Sequence, residues 1–294
     1  MIKLFWNTQN HITQTANDPN KENVLDFNWG KYHKKNSDKW ISFILKKVNY
    51  EIIQSEKDIN NKDVLIIVDS SVEKKTELYN KLKLICSKIF LIHLGDEPGQ
   101  VNLDSIYNNC DFVWRTFCSR KYFNNDKISC FPIGYKTGTV LQKYTEKRKY
   151  KWAFLGTQHK SSRHDLLYQL SNIKPSYCYK TEKFDAKPIE PKEMSEILSS
   201  TKFIPCPNGF VHPETYRLYE ALECKCIPIV ESTYQYYDRL FPSNPFLKVD
   251  KWIEAKVIIE KWTDDQITKK QEECYKWWVD YKLQLQEFIT NKIK

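Results

Sequence analysis

The chain has 294 residues, 41% of them hydrophobic and 14% aromatic, which excludes a disordered protein and suits two hydrophobic cores rather than one. Its 46 Lys and Arg against 37 Asp and Glu give a formal net charge of +9, a balance that favours anionic partners; the basic residues are scattered instead of clustered, so no nucleic-acid partner is expected and a phosphorylated small molecule is. No run approaches the roughly 18 apolar residues of a membrane span, MIKLFWNTQNHITQ lacks a signal-peptide core, and the nine cysteines form no CxxC pair, so they are read as buried free thiols of a soluble, cytoplasmic protein.

MIKLFWN (1–7) reads as a first strand, and KWISFILKK (39–47) as an amphipathic helix. DVLIIVDS (63–70) is almost continuously apolar, as a strand buried on both faces of a parallel sheet must be. A helix is expected over 73–86, a strand and Gly turn in KIFLIHLGDE (88–97), and further short strands in DFVWRTFC (111–118) and ISCFPIGY (128–135). YTEKRKYK (144–151) is charged and poor in apolar residues, and marks a linker. The rhythm then restarts. KWAFLGT (151–157) is a strand, SRHDLLYQL (162–170) a helix that Ser can cap, PSYCYK a strand, 191–199 a helix with Pro in its first turn, and KFIPCP a strand. A turn, PCPNG (205–209), leads to a helix opened by Pro213 and then the strand CIPIV (226–230). NPFLKVD, another helix, and one long helical pattern over 266–293 complete the chain.

This alternation predicts an α/β protein of two Rossmann-like domains, 1–145 and 151–265, followed by a C-terminal helix, 266–294, that either crosses back to the first domain or pairs with another subunit; the oligomeric state stays open. Ligands in such sheets bind at the carboxyl ends of the strands.

None of the seven glycines builds GxGxxG or a P-loop, and no DxD occurs. A diphosphate would have to be held by arginines, lysines and helix starts rather than by a metal. Two places offer this. One is FLGTQHKSSRHD (154–165), with Gly156 and Thr157 at a strand end and Arg163 in the first turn of a helix. The other is the turn and helix at 205–223, which carries Asn208 and His212 and then Glu214, Arg217 and Glu220 at three-residue spacing along one ridge. A plain solvated charge ladder would show the same spacing.

FIPCPNG followed by YRLYEALECKCIPIV resembles the C-terminal hallmark of exostosin-like sugar transferases, glycosyltransferase family 47: Arg217, then Glu220-Ala221-Leu222, then Cys226-Ile227-Pro228-Ile229. LGDE (94–97), VWRTFC (113–118) and WAFLGT (152–157) are similar to the ribitol xylosyltransferase branch of that group. The family's usual Gly before Cys-Ile-Pro is Lys225 here, and the membrane anchor usual in eukaryotic relatives is missing, which suits a bacterial or large-DNA-virus member acting in the host cytoplasm. The resemblance implies a GT-B fold, a UDP-sugar donor bound in the C-terminal half, a glycan acceptor, and inverting transfer with no metal or other cofactor; the branch suggests xylose.

The residues are consistent with inversion. The Glu-x₇-Glu pair of many retaining enzymes fails here because position 212 is His when Glu220 is taken as the second member; Glu223 and Glu231 have the spacing, but Glu231 is read as lying past the strand. An inverting transfer needs a base for the acceptor hydroxyl. Asp69, Asp96 and Glu97 end first-domain strands and are the candidates, Glu97 foremost because Gly-Asp makes turns. Arg115 is either a further diphosphate ligand or half of a buried ion pair, and His93 reads as a core histidine. For the donor, Glu220 or Glu214 would take the ribose hydroxyls, Arg217 and Arg163 the diphosphate, and His212 and Asn208 the sugar end. The alternative is a GT-B shell that has lost its chemistry and only binds a nucleotide sugar or glycan.

Overall fold

The structure, a computed structural model, describes residues 1–8, 29–73, 75–142, 147–182 and 189–294. The chain divides into two compact units, residues 1–133 with 288–294, and residues 134–287.

In the first unit β1 (Ile2–Asn7), β2 (Glu51–Ile53), β3 (Val64–Asp69), β4 (Lys88–His93), β5 (Phe112–Arg115) and β6 (Ile128–Cys130) form one sheet in the order β2-β1-β3-β4-β5-β6. Every pair is parallel, with Leu65 opposite Ile89 and Leu91 opposite Val113. The near-continuous apolar run of β3 now has its reason: Leu65 and Ile67 join a core with Tyr79 and Leu82, while Ile66 and Val68, on the opposite face, are equally buried. Tyr79 and Leu82 come from α2 (Thr76–Ile85). α1 is Trp29–Ile44, starting well before the expected 39–47 because its first half, GKYHKKNSDK, is polar. It buries His33, Ser37, Trp40, Ile41 and Ile44 at helical spacing, and Trp40 Nε1 donates to the Pro132 carbonyl at 3.1 Å. β2 and the short α3 (Asp104–Tyr107) were not expected.

Two of the nine cysteines depart from the expectation of free thiols. Cys118 and Cys130 form a disulfide across the end of β5 and β6, while Cys86, Cys110, Cys178, Cys206, Cys224, Cys226 and Cys274 are free. The two bonded residues sit in separate segments with their Cα atoms 5.3 Å apart, a proximity that sequence spacing does not reveal.

The second unit holds β7 (Tyr150–Thr157), α4 (Arg163–Leu170), β8 (Ser176–Thr181), α5 (Pro191–Ser199), β9 (Thr201–Cys206), α6 (Tyr216–Glu223), β10 (Ile227–Glu231), α7 (Tyr236–Leu240), β11 (Leu247–Val249) and α8 (Trp252–Lys261). Its strands are again parallel, in the order β11-β10-β9-β7-β8. Trp152, Phe154, Phe203, Ile227 and Ile229 pack against Leu166 and Leu170 of α4 and Trp252, Ala255 and Ile259 of α8. α9 is one helix, Asp264–Ile293, whose final residues belong to the first unit, where Phe288 meets Phe112 edge to face with ring centroids 6.0 Å apart.

The expected linker, 144–151, divides: residues 144–146 lie outside the described residues, but Arg148 is a buried part of the second unit. Its guanidinium donates to the carbonyls of Leu198 in the last turn of α5 and Thr201 at the start of β9 (3.2 and 2.6 Å) and of Cys224 and Lys225 just past α6 (3.0 and 2.8 Å). A cation there satisfies carbonyls left over by two helices and faces the negative ends of both dipoles.

α6 ends in a Schellman motif: Cys226 N–H donates to Ala221 O at 2.8 Å, and Lys225 N–H to Leu222 O at 3.1 Å. Lys225 holds φ +57°, the left-handed conformation that favours Gly. The glycine usual in the resembling family therefore corresponds to a real backbone requirement, met here by a lysine whose ammonium pairs with Glu272 of α9.

Candidate functional site

Strand order locates the crevice of each sheet. In the second unit the chain lays β8 on one side of β7 and then crosses to lay β9 on the other, so the switch point lies between β7 and β9. The two loops that leave these strands are 158–162 and 207–215, the same two segments that the sequence singles out.

Arg217 lies in the first turn of α6, and reaches back to the end of β7. Its Nη2 donates to the Leu155 carbonyl at 2.5 Å, and the guanidinium sits 4.9 Å from the centroid of the Phe154 ring. Nη1 is buried and has no partner. Gly156 makes this close approach possible: a Cβ there would lie 2.5 Å from Nη2, and its φ is +143°. Glu220, one turn on from Arg217, is a buried carboxyl whose pKa burial raises, against the opposing pull of Lys136 and Arg217. The Lys136 ammonium lies 5.6 Å from the Tyr216 ring centroid, at the start of α6. The first turns of α6 thus carry a cationic group with an unused donor at the switch point, a buried carboxylate one turn on and a second cation at the helix start, an arrangement able to hold an anion beside a hydroxyl-bearing group.

The other donor-side candidates serve the loops themselves. Arg163 is in the first turn of α4 as expected, but its Nη1 donates to Thr157 O at 2.9 Å and its Nη2 to Asn208 O at 3.3 Å, so it ties the β7 loop to the β9 loop. Ser162 precedes α4 without capping it; its hydroxyl accepts from Trp252 Nε1 at 2.9 Å. The Thr157 hydroxyl pairs with that of Thr181 at 3.2 Å. Asn208 is fixed by Glu231, which accepts its backbone N–H at 2.8 Å, and by Thr233 at 2.8 Å, while its buried Oδ1 is unpartnered. Glu231 is the last residue of β10, not beyond the strand, and its part in holding this loop escaped the sequence reading.

Glu214 departs from the expected ridge. α6 starts at Tyr216 with Thr215 at its N-cap, so Pro213 and Glu214 precede the helix and only Arg217 and Glu220 share its face. Both Glu214 oxygens accept from buried tyrosines, Tyr219 and Tyr236, the latter at 2.9 Å. His212 accepts the Glu214 N–H on Nδ1 at 3.2 Å and packs edge to face on Tyr236 with ring centroids 4.5 Å apart. These two side chains build the interior of the loop.

In the first unit the switch point lies between β1 and β3. Asp69, at the end of β3, is 1% exposed and is gripped by Lys75 Nζ at 2.6 and 2.7 Å, with its Oδ1 also accepting the Ser71 N–H at 3.0 Å. Asp96 pairs with Arg115 at 2.8 Å, so Arg115 takes the buried ion-pair role instead of the diphosphate one. Arg115 Nη1 also donates to the Tyr107 hydroxyl at 2.8 Å, and that hydroxyl lies 2.7 Å from His93 Nδ1. Burial, and then the Arg115 charge, hold the His93 pKa well below the usual imidazole value, which keeps this core histidine neutral. Asp96 has φ +55° and makes the turn after β4, closed by Gly99 N–H on Asp96 O at 3.0 Å; Glu97 stands in this turn, partly buried. Among the described residues no group of three or more His, Cys, Asp or Glu could hold a metal ion, and no helix is long and apolar enough to cross a membrane.

Residues 131–294 match the family model of the RXYLT1 C-terminal domain, more than half of the chain. The chain belongs to the RXYLT1 C-terminal domain family. The whole second unit of this family member, with the switch-point loops, lies inside the match. Ribitol-5-phosphate xylosyltransferase 1 of Danio rerio is similar at 25% identity over 245 residues, 71% of this chain and 55% of that protein, so the chain spans about half the length of the curated relative it matches. Among solved structures, the crystal structure of TarM superposes with a TM-score of 0.52 at 10% identity, covering 81% of this chain and 56% of that one. The fold is α/β and GT-B-like, as the sequence predicts.

Proposed function

We propose that this member of the family is a glycosyltransferase that moves a sugar from a UDP-sugar to a glycan hydroxyl by a single inverting displacement, with no metal or other cofactor. Family membership and the relative's name support glycosyl transfer; that name also suggests xylose as the sugar and a ribitol-phosphate glycan as the acceptor. The observation that carries the reading is the unpartnered Arg217 Nη1 at the β7/β9 switch point, beside Glu220.

Arg217 would neutralise the diphosphate as the bond from the anomeric carbon to its oxygen breaks, where negative charge grows. Glu220 would accept from the ribose hydroxyls. Arg163 acts by positioning, since its donors hold the two loops together. A carboxylate of the first unit would take the acceptor proton. Asp69 and Asp96 already have their oxygens engaged by the Lys75 ammonium and the Arg115 guanidinium in the interior of the first unit, and we keep Glu97, the foremost candidate of the sequence, as the base.

The test is incubation with UDP-xylose and ribitol 5-phosphate, following UDP release and the xylosylated product. Arg217→Ala should lower kcat more than it raises KM. If no UDP-sugar, among xylose, glucuronic acid, galactose and N-acetylglucosamine, is transferred or hydrolysed while UDP still binds, the protein is a binding module and the transferase reading is wrong.

A further inference from the structure

A lysine that the sequence reading passed over stands at the start of α6, against Tyr216, the residue before Arg217. Lys136 belongs to a strap, residues 134–142, that runs over the second unit before β7. The strap has little regular structure, yet it is firmly attached. Val140 N–H donates to the Ser195 hydroxyl at 3.1 Å and Gln142 N–H to the Ser199 hydroxyl at 3.0 Å, both on α5. Gly138, at φ +98°, lies so close to Pro191 that a Cβ would meet its ring at 2.6 Å. Thr139 N–H closes a turn on the Lys136 carbonyl at 3.0 Å, and Gly134 has φ +71°. Two glycine-dependent bends and two hydroxyl tethers therefore fix the backbone on either side of Lys136.

That anchoring places the side chain at the start of α6. The ammonium lies 5.6 Å from the Tyr216 ring centroid, and no carboxylate among the described residues is within ion-pair distance of it. The Lys136 side chain is half-buried, and its charge acts on the buried Glu220, opposing the rise that burial imposes on that carboxyl. A lysine held without a pairing carboxylate at the start of the helix whose first turn carries an arginine with an idle donor is an incomplete arrangement: two cations and one buried carboxylate leave room for an anion.

We propose that Lys136 is the second cation of the donor site, so that its ammonium and Arg217 Nη1 bind the diphosphate of the nucleotide sugar together. This rests on the donor-site reading above and deepens it. The strap contributes a ligand from outside the two switch-point loops, and the anchoring of the strap on α5 becomes a requirement for donor binding. Lys136 is a point charge that follows the phosphates, while Arg217, clamped by Leu155 and Phe154, sets their position.

Calorimetric titration of the full chain with UDP, GDP, CDP and uridine tests this. Lys136→Met should weaken the binding of the preferred nucleoside diphosphate about 10- to 100-fold, the scale of one lost charge-assisted contact. Uridine carries no phosphate, so its weaker binding should not change, and Lys136→Arg should recover most of the loss. Ser195→Ala and Ser199→Ala together should weaken nucleotide binding in the same direction, through the strap. Lys136→Met binding the diphosphate as tightly as wild type, while Arg217→Ala binds it poorly, overturns the role of Lys136 and leaves the donor site standing. Wild-type protein that binds none of the three diphosphates overturns both.

Discussion

Gly156→Ala is the sharpest test of how the site is built. The new Cβ would stand 2.5 Å from Arg217 Nη2 and 3.8 Å from its Cζ, and the first of these is closer than side chains tolerate, so the end of the guanidinium must shift away from the β7 strand end. That shift loses up to the full charge-assisted bond to the Leu155 carbonyl, about 1.5–3 kcal/mol, and the contact with the Phe154 ring, about 0.5–1 kcal/mol. The φ of +143° adds about 1–3 kcal/mol of backbone strain for a residue with a Cβ. Hydration of the displaced, half-buried guanidinium offsets part of this, so the expected net cost is about 2–4 kcal/mol. Urea unfolding followed by tryptophan fluorescence would read it, and the melting temperature should fall by about 3–7 °C. The double-mutant cycle with Arg217→Ala separates the causes: once Arg217 is truncated, Gly156→Ala should cost only the backbone part, about 1–3 kcal/mol. An equal cost in both backgrounds would show that Gly156 serves the backbone alone, and a cost under about 0.5 kcal/mol would refute the close packing itself.

Other outcomes follow from the same geometry. Arg148→Met should destabilise the protein by about 3–5 kcal/mol, because four carbonyl acceptors at the ends of α5 and α6 lose their donor together; unfolding within about 1 kcal/mol of wild type would mean that water replaces the guanidinium. Asp69→Asn should cost about 3–5 kcal/mol by leaving Lys75 buried without its counter-charge, measured in the same urea titration. Glu220 gives a pH signature. Burial raises its folded-state pKa above the unfolded value of 4.5, so the folded protein binds this proton more tightly and the group's penalty is largest above the folded pKa. Stability from this site should therefore rise as pH falls through the folded pKa and level off below about 4.5, and Glu220→Gln should be more stable than wild type at pH 7, with the advantage shrinking toward pH 4. An advantage that does not change with pH would remove the carboxyl from the account.

The secondary structure and fold class were legible because each rests on local patterning. The apolar run of β3, the Pro-opened α5 and the long repeat of α9 each declare their period, and the βα alternation permits little but parallel sheets. The two loops that flank the β7/β9 switch point were legible too, since chain order and strand ends point to them. α1 was read short because its first half lacks apolar contrast, and the three-residue β2 is too brief to show a period. What each side chain does depended on tertiary structure. Glu214, Arg115, Asp96 and Asp69 look like a binding or catalytic set in the sequence, yet each has its charge or its oxygens engaged by residues distant in sequence or on another element: Tyr219 and Tyr236, Tyr107, Arg115, and Lys75. Arg148, Lys136 and the Cys118–Cys130 bond carry no sequence signal at all. The physical reason is common to them: period and turn chemistry are properties of neighbours along the chain, whereas the pairing of a buried charge is decided by whichever group the fold brings within about 3 Å of it.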